Sequence, residues 1–359
     1  MFSRQQLRIK SCALVLFISL LCAGCSDQSR LEENWQNYLA RLSRVLDRDA
    51  ASPPPETSLH FPRPRDLEST FATSNIDLLD FLRMRRCALR ETIAERNSIL
   101  GKHGDASAKL IFDLRFLSEA EDCIRVLEED NNDTLALQLE EAVKLKIREL
   151  PARIFSASLA GAEFRELWHA PPDLKGYPTT EQDTSIAALS SWSDWQHQWL
   201  NGDWHHDSNA ILETLGEIRL GHGGTLLKAQ QVNIQGLQEA TSIIAQRVSE
   251  RPLCLNHSPI AAAEQFRNVL SSRFIARIQK QASLINQHEF ALFSQIDAIE
   301  SELLSAMAQH DLVIPPAYRS WLAQRKSILD EAKQAHRQHV EIAGELLAQC
   351  GLSPGGNGD

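Results

Sequence analysis

The chain has 359 residues, 43% of them hydrophobic, and a formal net charge of −10. An acid excess of that size opposes nucleic acid and anionic headgroups as partners, because both require a basic face. The apolar fraction is that of a globular protein with one or two cores.

Residues 1–10 contain Arg4, Arg8 and Lys10 and no acid, and Cys12 to Cys22 (CALVLFISLLC) carry no charge. A basic start, a short apolar run and the small residues Ala23 and Gly24 predict a secretory signal over residues 1–24. The run falls short of the roughly 20 apolar residues a helix needs to cross a bilayer. Leu21-Cys22-Ala23-Gly24-Cys25 resembles the bacterial lipobox and departs from it at Cys22, where Leu is usual. The resemblance implies a lipid on Cys25, and the several acyl chains of such processing anchor firmly where one chain binds only marginally. Ser26 in the next position implies passage to the outer membrane, because Asp27 comes one residue too late for inner-membrane retention. The alternative is a soluble periplasmic product in which Cys25 is a plain thiol. Cleavage before Cys25 leaves 34 basic against 47 acidic residues, a charge of −13.

Residues 29–48 place Trp35, Leu39, Leu42 and Leu46 at helical spacing. Residues 51–65 (ASPPPETSLHFPRPR) hold five prolines and must be extended, as a tether or as a strap over the body. Ser74 with Asp77 forms a capping signal, and Leu78, Leu82, Leu89 and Ile93 follow, with Gly101 as the stop. Asp105 starts the next helix, which carries Leu110, Leu114, Leu117, Ala120, Ile124 and Leu127 on one face. The short connection predicts an antiparallel hairpin.

Four cysteines remain besides Cys25: Cys87, Cys123, Cys254 and Cys350. An even number in an oxidising compartment predicts two disulfides, and no C-x-x-C among them supports a zinc ribbon. With the hairpin turn near residue 103, Cys87 lies 16 residues before it and Cys123 lies 20 after. The stagger of about 6 Å at 1.5 Å per residue is small enough to absorb by tilt. Cys87–Cys123 is therefore the preferred bridge, and Cys254–Cys350 follows by elimination.

Residues 132–156 have a helical pattern, 157–183 are irregular around Pro171, Pro172, Gly176 and Pro178, and helical signals resume near 184. Ser258-Pro259 predicts the start of a long helix. Leu292, Ile296, Ile299 and Leu303 follow the 4-3-4 spacing of a coiled-coil seam. Pro315-Pro316 turn the chain, a last helix ends at Gly351, and the tail SPGGNGD lacks the apolar residues to fold. The expected organisation is a signal over 1–24, an anchored helix and proline-rich strap over 25–68, a helical domain over 69–351 and a disordered tail over 352–359. The irregular stretch 157–183 is a candidate division between two subdomains. The fold class expected is an all-α multi-helix bundle.

Several candidate constellations fall short. His288-Glu289 begins an H-E-x-x-H pattern, but Leu292 stands where the second ligand belongs. Gly216 and Gly221 have the spacing of a phosphate loop, but His222 and Gly223 replace the Lys and Ser/Thr it needs. A helix end over Gly221 to Gly224 accounts for those glycines. His197, His205 and His206 lie near Asp203 and Asp207, yet adjacent side chains rarely converge on one ion. His336 and His339 share a helix face, and His339 falls on its apolar stripe. Trp192, Trp195 and Trp199 recur on one side of a helix, which fits a buried face better than a sugar-stacking platform. No G-x-S-x-G elbow occurs, and the paired carboxylates of a glycosidase cannot be picked out. No catalytic residue, metal or cofactor is assigned.

FPRPRDLE (61–68), IDLLDFLRMRRCALRETIAERNSILG (76–101) and DLRFLSEAEDCI (113–124) resemble a group of Gram-negative, lipoprotein-like proteins known only as a domain of unknown function. The resemblance implies an envelope lipoprotein and no assigned activity. The functional expectation is a non-enzymatic binding or scaffold protein of the envelope, anchored on its membrane and facing the periplasm, with an envelope protein or peptidoglycan as partner. The rival is a cell-wall or metal-dependent hydrolase with its site around residues 169–222.

Overall fold

In the computed structural model, residues 31–49, 59–72, 83–174, 176–179, 183–250, 253–255 and 258–353 are described. The signal sequence, Cys25, most of the proline-rich segment, the capping signal at Ser74 and Asp77, and the tail from 354 lie outside the described residues.

The fold is all-α, and its first helix shows why. In α1 (Leu31–Leu46), Leu31, Trp35, Tyr38, Leu42 and Leu46 recur about every 3.6 residues and are all buried. They face α9 (Gly223–Glu250), which packs in turn on the last helix, α12 (Pro316–Ala348). The α1–α9 crossing is close because residue 236 is glycine: a Cβ there would fall inside the Trp35 indole. The Trp35 indole N–H donates to Asn233 Oδ1 across the same interface at 3.0 Å.

A second group of helices follows in the chain. α2 (Leu89–Asn97), the short α3 (Ile99–His103), α4 (Ala106–Glu129) and α5 (Asp133–Ala157) form the expected hairpin and its continuation. Asp105 caps α4 by accepting from the Ala108 N–H at 2.8 Å. Gly101 does not stop a helix as expected. The break falls at Ser98, whose side chain caps α3, and Gly101 lies within α3 against the Glu95 and Arg96 carbonyls. Cys87 and Cys123 are at disulfide distance, with Cα atoms 5.0 Å apart.

Residues 157–183 hold one short helix, α6 (Ala162–Leu167). α7 (Ser185–Leu200) and α8 (Ser208–Ile218) follow, and α7 lies against α11 (Lys280–Gln309). Gly223 and Gly224 do not end a helix; they open α9, where any side chain would strike Trp168 and the His169 backbone. Ser258-Pro259 does not start a helix either. It forms β2, paired antiparallel with β1 (Cys254–Leu255), and α10 (Ala261–Val269) begins two residues later. The fixed φ of Pro259 suits a strand edge as well as a first helical turn. Cys254 in β1 is at disulfide distance from Cys350, just past α12, with Cα atoms 5.3 Å apart. Between α10 and α11, residues Leu270–Gln279 wind as a π-helix.

The buried apolar residues of all these elements form one contiguous core. Leu292, Ile296, Ile299 and Leu303 of the expected seam are fully buried in α11. One set of polar groups inside the core is mutually satisfied. Arg325 binds both oxygens of Glu300 at 2.8 and 2.6 Å, and the Tyr318 hydroxyl donates to the same carboxylate at 2.7 Å. Among the described residues no helix is long and apolar enough to cross a membrane.

Candidate functional site

A cavity of about 1420 Å³ opens where Pro171, Tyr177, Asp183 and their neighbours face the first half of α11, with α7, the end of α8 and the start of α9 completing its walls. Four side chains form a chain of contacts along it. The Tyr177 hydroxyl lies 2.6 Å from His288 Nδ1, and His288 Nε2 lies 3.0 Å from Asp183 Oδ2. The same carboxylate oxygen lies 3.5 Å from His222 Nδ1 and accepts from the His222 backbone N–H at 3.3 Å. Its other oxygen accepts from the Ser185 N–H at 3.0 Å.

Local chemistry places each group. His288 sits on the face of α11 turned towards segment 171–184, and Asp183 stands at the entry to α7, where a carboxylate meets free backbone N–H groups. His222 occupies the tight link between α8 and α9, whose flanking glycines let the backbone press against Leu167 and Trp168.

The protonation states follow from the contacts. Burial pushes the Asp183 carboxyl up, but the hydrogen bonds from His222, His288 and Ser185 outweigh it and hold the group well below the usual carboxylate range. A carboxylate only accepts, so His288 Nε2 carries hydrogen. Burial, then the charges of Asp183 and Glu289, raise the Tyr177 phenol above its ordinary value. It therefore stays protonated, with its hydroxyl in hydrogen-bond contact with His288 Nδ1. His222 is raised by its hydrogen bond to Asp183 and is half-exposed in the cleft. The result is an ionised carboxylate between two imidazoles, one partly buried and held beside a tyrosine, the other presented to solvent. Such a group can orient a ligand, and His222 can hold or deliver a proton at its outer nitrogen.

The residues singled out by the sequence lie elsewhere. Trp192 and Trp199 are fully buried, and Trp195 and Trp204 are partly buried against the core. Each histidine of the 197–206 group takes its own partner: His197 pairs with Glu302 at 2.6 Å, His205 with Asp203 at 2.8 Å, and His206 with the Trp204 carbonyl at 3.0 Å. They do not converge. His339 is buried against Tyr38 at 3.1 Å, and burial drives its pKa down to about 3. Among the described residues no three His, Cys, Asp or Glu side chains are arranged to hold a metal ion.

Sequence reasoning missed the cleft because it weighed His288 only as a zinc ligand and His222 only as a misplaced phosphate-loop residue. The local signal was confined to Tyr177 and Asp183, which belong to the proline-rich irregular stretch, while His222 and His288 lie 39 and 105 residues beyond Asp183.

Residues 35–354 match the family described as Protein of unknown function (DUF3080). The chain belongs to that family. The DUF3080 match takes in all four cleft residues and both cysteine pairs, and it begins after Cys25. No curated protein and no solved structure matches the chain.

Proposed function

We propose that this chain is an exported lipoprotein of a Gram-negative envelope. It is cut before Cys25, carries lipid on that thiol, and passes to the outer membrane by virtue of Ser26. Its helical body faces the periplasm as a binding protein, with the Asp183 cleft as its ligand site. One observation carries the anchored reading above the rest. Among the described residues Cys87–Cys123 and Cys254–Cys350 stand at disulfide distance, so of the five cysteines left once the signal is removed, four are accounted for and Cys25 is the fifth. Two disulfides suit an oxidising compartment, and the remaining thiol stands where lipidation chemistry requires it. A Cys25→Ala variant should leave the membrane fraction and fail to incorporate labelled palmitate; unchanged fractionation refutes the anchor.

A second reading is favoured by the Tyr177–His288–Asp183–His222 arrangement, which falls largely within the region expected for a hydrolase. In it, His222 acts as the acid and Asp183 keeps it protonated. Release of soluble fragments from isolated cell-wall sacculi by the wild-type protein, lost in His222→Gln, selects this reading. Binding to sacculi without release selects the first.

A further inference from the structure

A second cavity, about 400 Å³, lies on the opposite side of α11 from the cleft. That volume is within the usual range of small-ligand sites. Its floor is apolar: Trp35 of α1, Leu237 of α9, and Phe274 and Ile278 of the π-helix. Its rim is basic, with Lys333 and Arg337 projecting from successive turns of α12. A shallow groove continues outward past Asn286 to Phe290, which is 78% exposed. Neither the cavity nor the groove is lined by an aspartate or glutamate, on a chain with ten more acids than bases. The nearest carboxylate, Glu289, points inward, where Gln230 donates to it at 2.6 Å and Lys333 approaches at 3.4 Å.

Two further features mark the cavity as built rather than left over. The π-helix is ten residues long, whereas such turns are rare and cluster at functional sites. Its wide winding sets Phe274 and Ile278 one above the other on the cavity wall. Asn233 also lines the cavity, and it is 4% exposed. Its oxygen is committed to the Trp35 indole, and among the described residues its amide nitrogen has only the Gln230 oxygen at 3.5 Å. One of its two amide hydrogens is therefore free for an acceptor in the cavity.

We infer that this cavity binds an amphiphilic anion: one apolar chain on the Phe274–Ile278–Leu237 floor, with an anionic head between Lys333 and Arg337. A neutral apolar ligand leaves the basic rim and the Asn233 donor unused. A cationic head meets two like charges. Free fatty-acid anions and anionic phospholipids share the required chemistry.

The test uses the full chain as its Cys25→Ala variant, so that no covalent lipid competes. Calorimetric titration with dodecanoate should show saturable one-to-one binding. Dodecyltrimethylammonium, with the same tail, should bind at least about tenfold more weakly, and acetate should give no signal. The Lys333→Gln/Arg337→Gln double variant should lower dodecanoate affinity about tenfold and strengthen binding of the ammonium probe, which no longer meets two like charges. Ala282→Leu, which narrows the cavity from α11, should abolish binding while circular dichroism and thermal melting show a folded protein. Retention on phosphatidylglycerol but not phosphatidylcholine vesicles, lost in the same variants, assigns the phospholipid as the source; dodecanoate binding without vesicle retention assigns the free fatty acid. Equal affinity for the two head groups, or binding unaffected by Ala282→Leu, overturns the inference.

Discussion

Asp183 and His222 tie stability to pH with signs that can be worked out. The His222 imidazole is raised in the folded chain, so its contribution is present in full below the unfolded value near 6.5 and is lost as pH rises through the folded value. The Asp183 carboxyl is lowered, so its contribution is present above about pH 4 and is lost only as pH falls through its depressed folded value. Both contributions coexist between about pH 4 and 6.5. Thermal melts of wild type and His222→Gln should therefore differ most near pH 5–6 and converge above neutrality; a pH-independent difference would refute the pairing. The buried set at Glu300 makes a sharper case. Glu300→Gln takes the bidentate carboxylate from Arg325, only 5% exposed, and leaves it the more distant and exposed Asp297 at 3.9 Å. A loss of roughly 3–5 kcal/mol is expected in urea titration.

At the scale of elements, close approach and covalent closure decide what holds. Gly236→Ala should cost roughly 1–3 kcal/mol, because α1 and α9 must move apart to admit a methyl group beside Trp35. The cysteine pairs close loops of 36 and 96 residues. Loop entropy makes the longer closure worth about 0.9 kcal/mol more than the shorter. Replacing Cys254 and Cys350 by alanine should thus lower the melting temperature more than replacing Cys87 and Cys123. The long helices were legible because burial repeats along them: Leu292, Ile296, Ile299 and Leu303 record one face of α11 in their spacing. Ser258-Pro259 misled because one ring constraint serves a helix start and a strand edge alike. Gly101 and Gly221 to Gly224 misled for a related reason: glycine marks close approach as often as termination, and the approaching partner is distant in sequence. The cleft was illegible for the same cause. Tyr177 and His288 are 111 residues apart, and no local pattern records that they meet.

At the scale of the whole molecule, α11 is a partition. His288 faces the cleft on one side, and the adjacent Glu289 faces inward beside the second cavity, so two neighbouring residues serve opposite walls. The proposed anchor orients this partition. Only five residues separate Cys25 from Leu31, six steps with a reach of about 20 Å fully extended. α1 is packed into the core from its first residue, so the proline-rich segment, which follows it, cannot act as the tether. Asn34 near the start of α1 donates to Gln281 near the start of α11 at 2.8 Å, so a lipid on Cys25 would lie nearest that end of α11. With 30 residues at 1.5 Å each, the far end of α11 lies about 45 Å away. A fluorophore attached at Ser283→Cys should therefore be quenched by nitroxide-labelled lipids in vesicles carrying the anchored protein, and one at Gln309→Cys should not. Both positions are exposed, so accessibility does not separate them. Equal quenching, or stronger quenching at 309, would mean that the body does not stand on the α1 end, and the short-tether geometry would fail. In the same vesicles Cys25→Ala should abolish quenching at both positions, which separates an error in orientation from an error in the anchor itself.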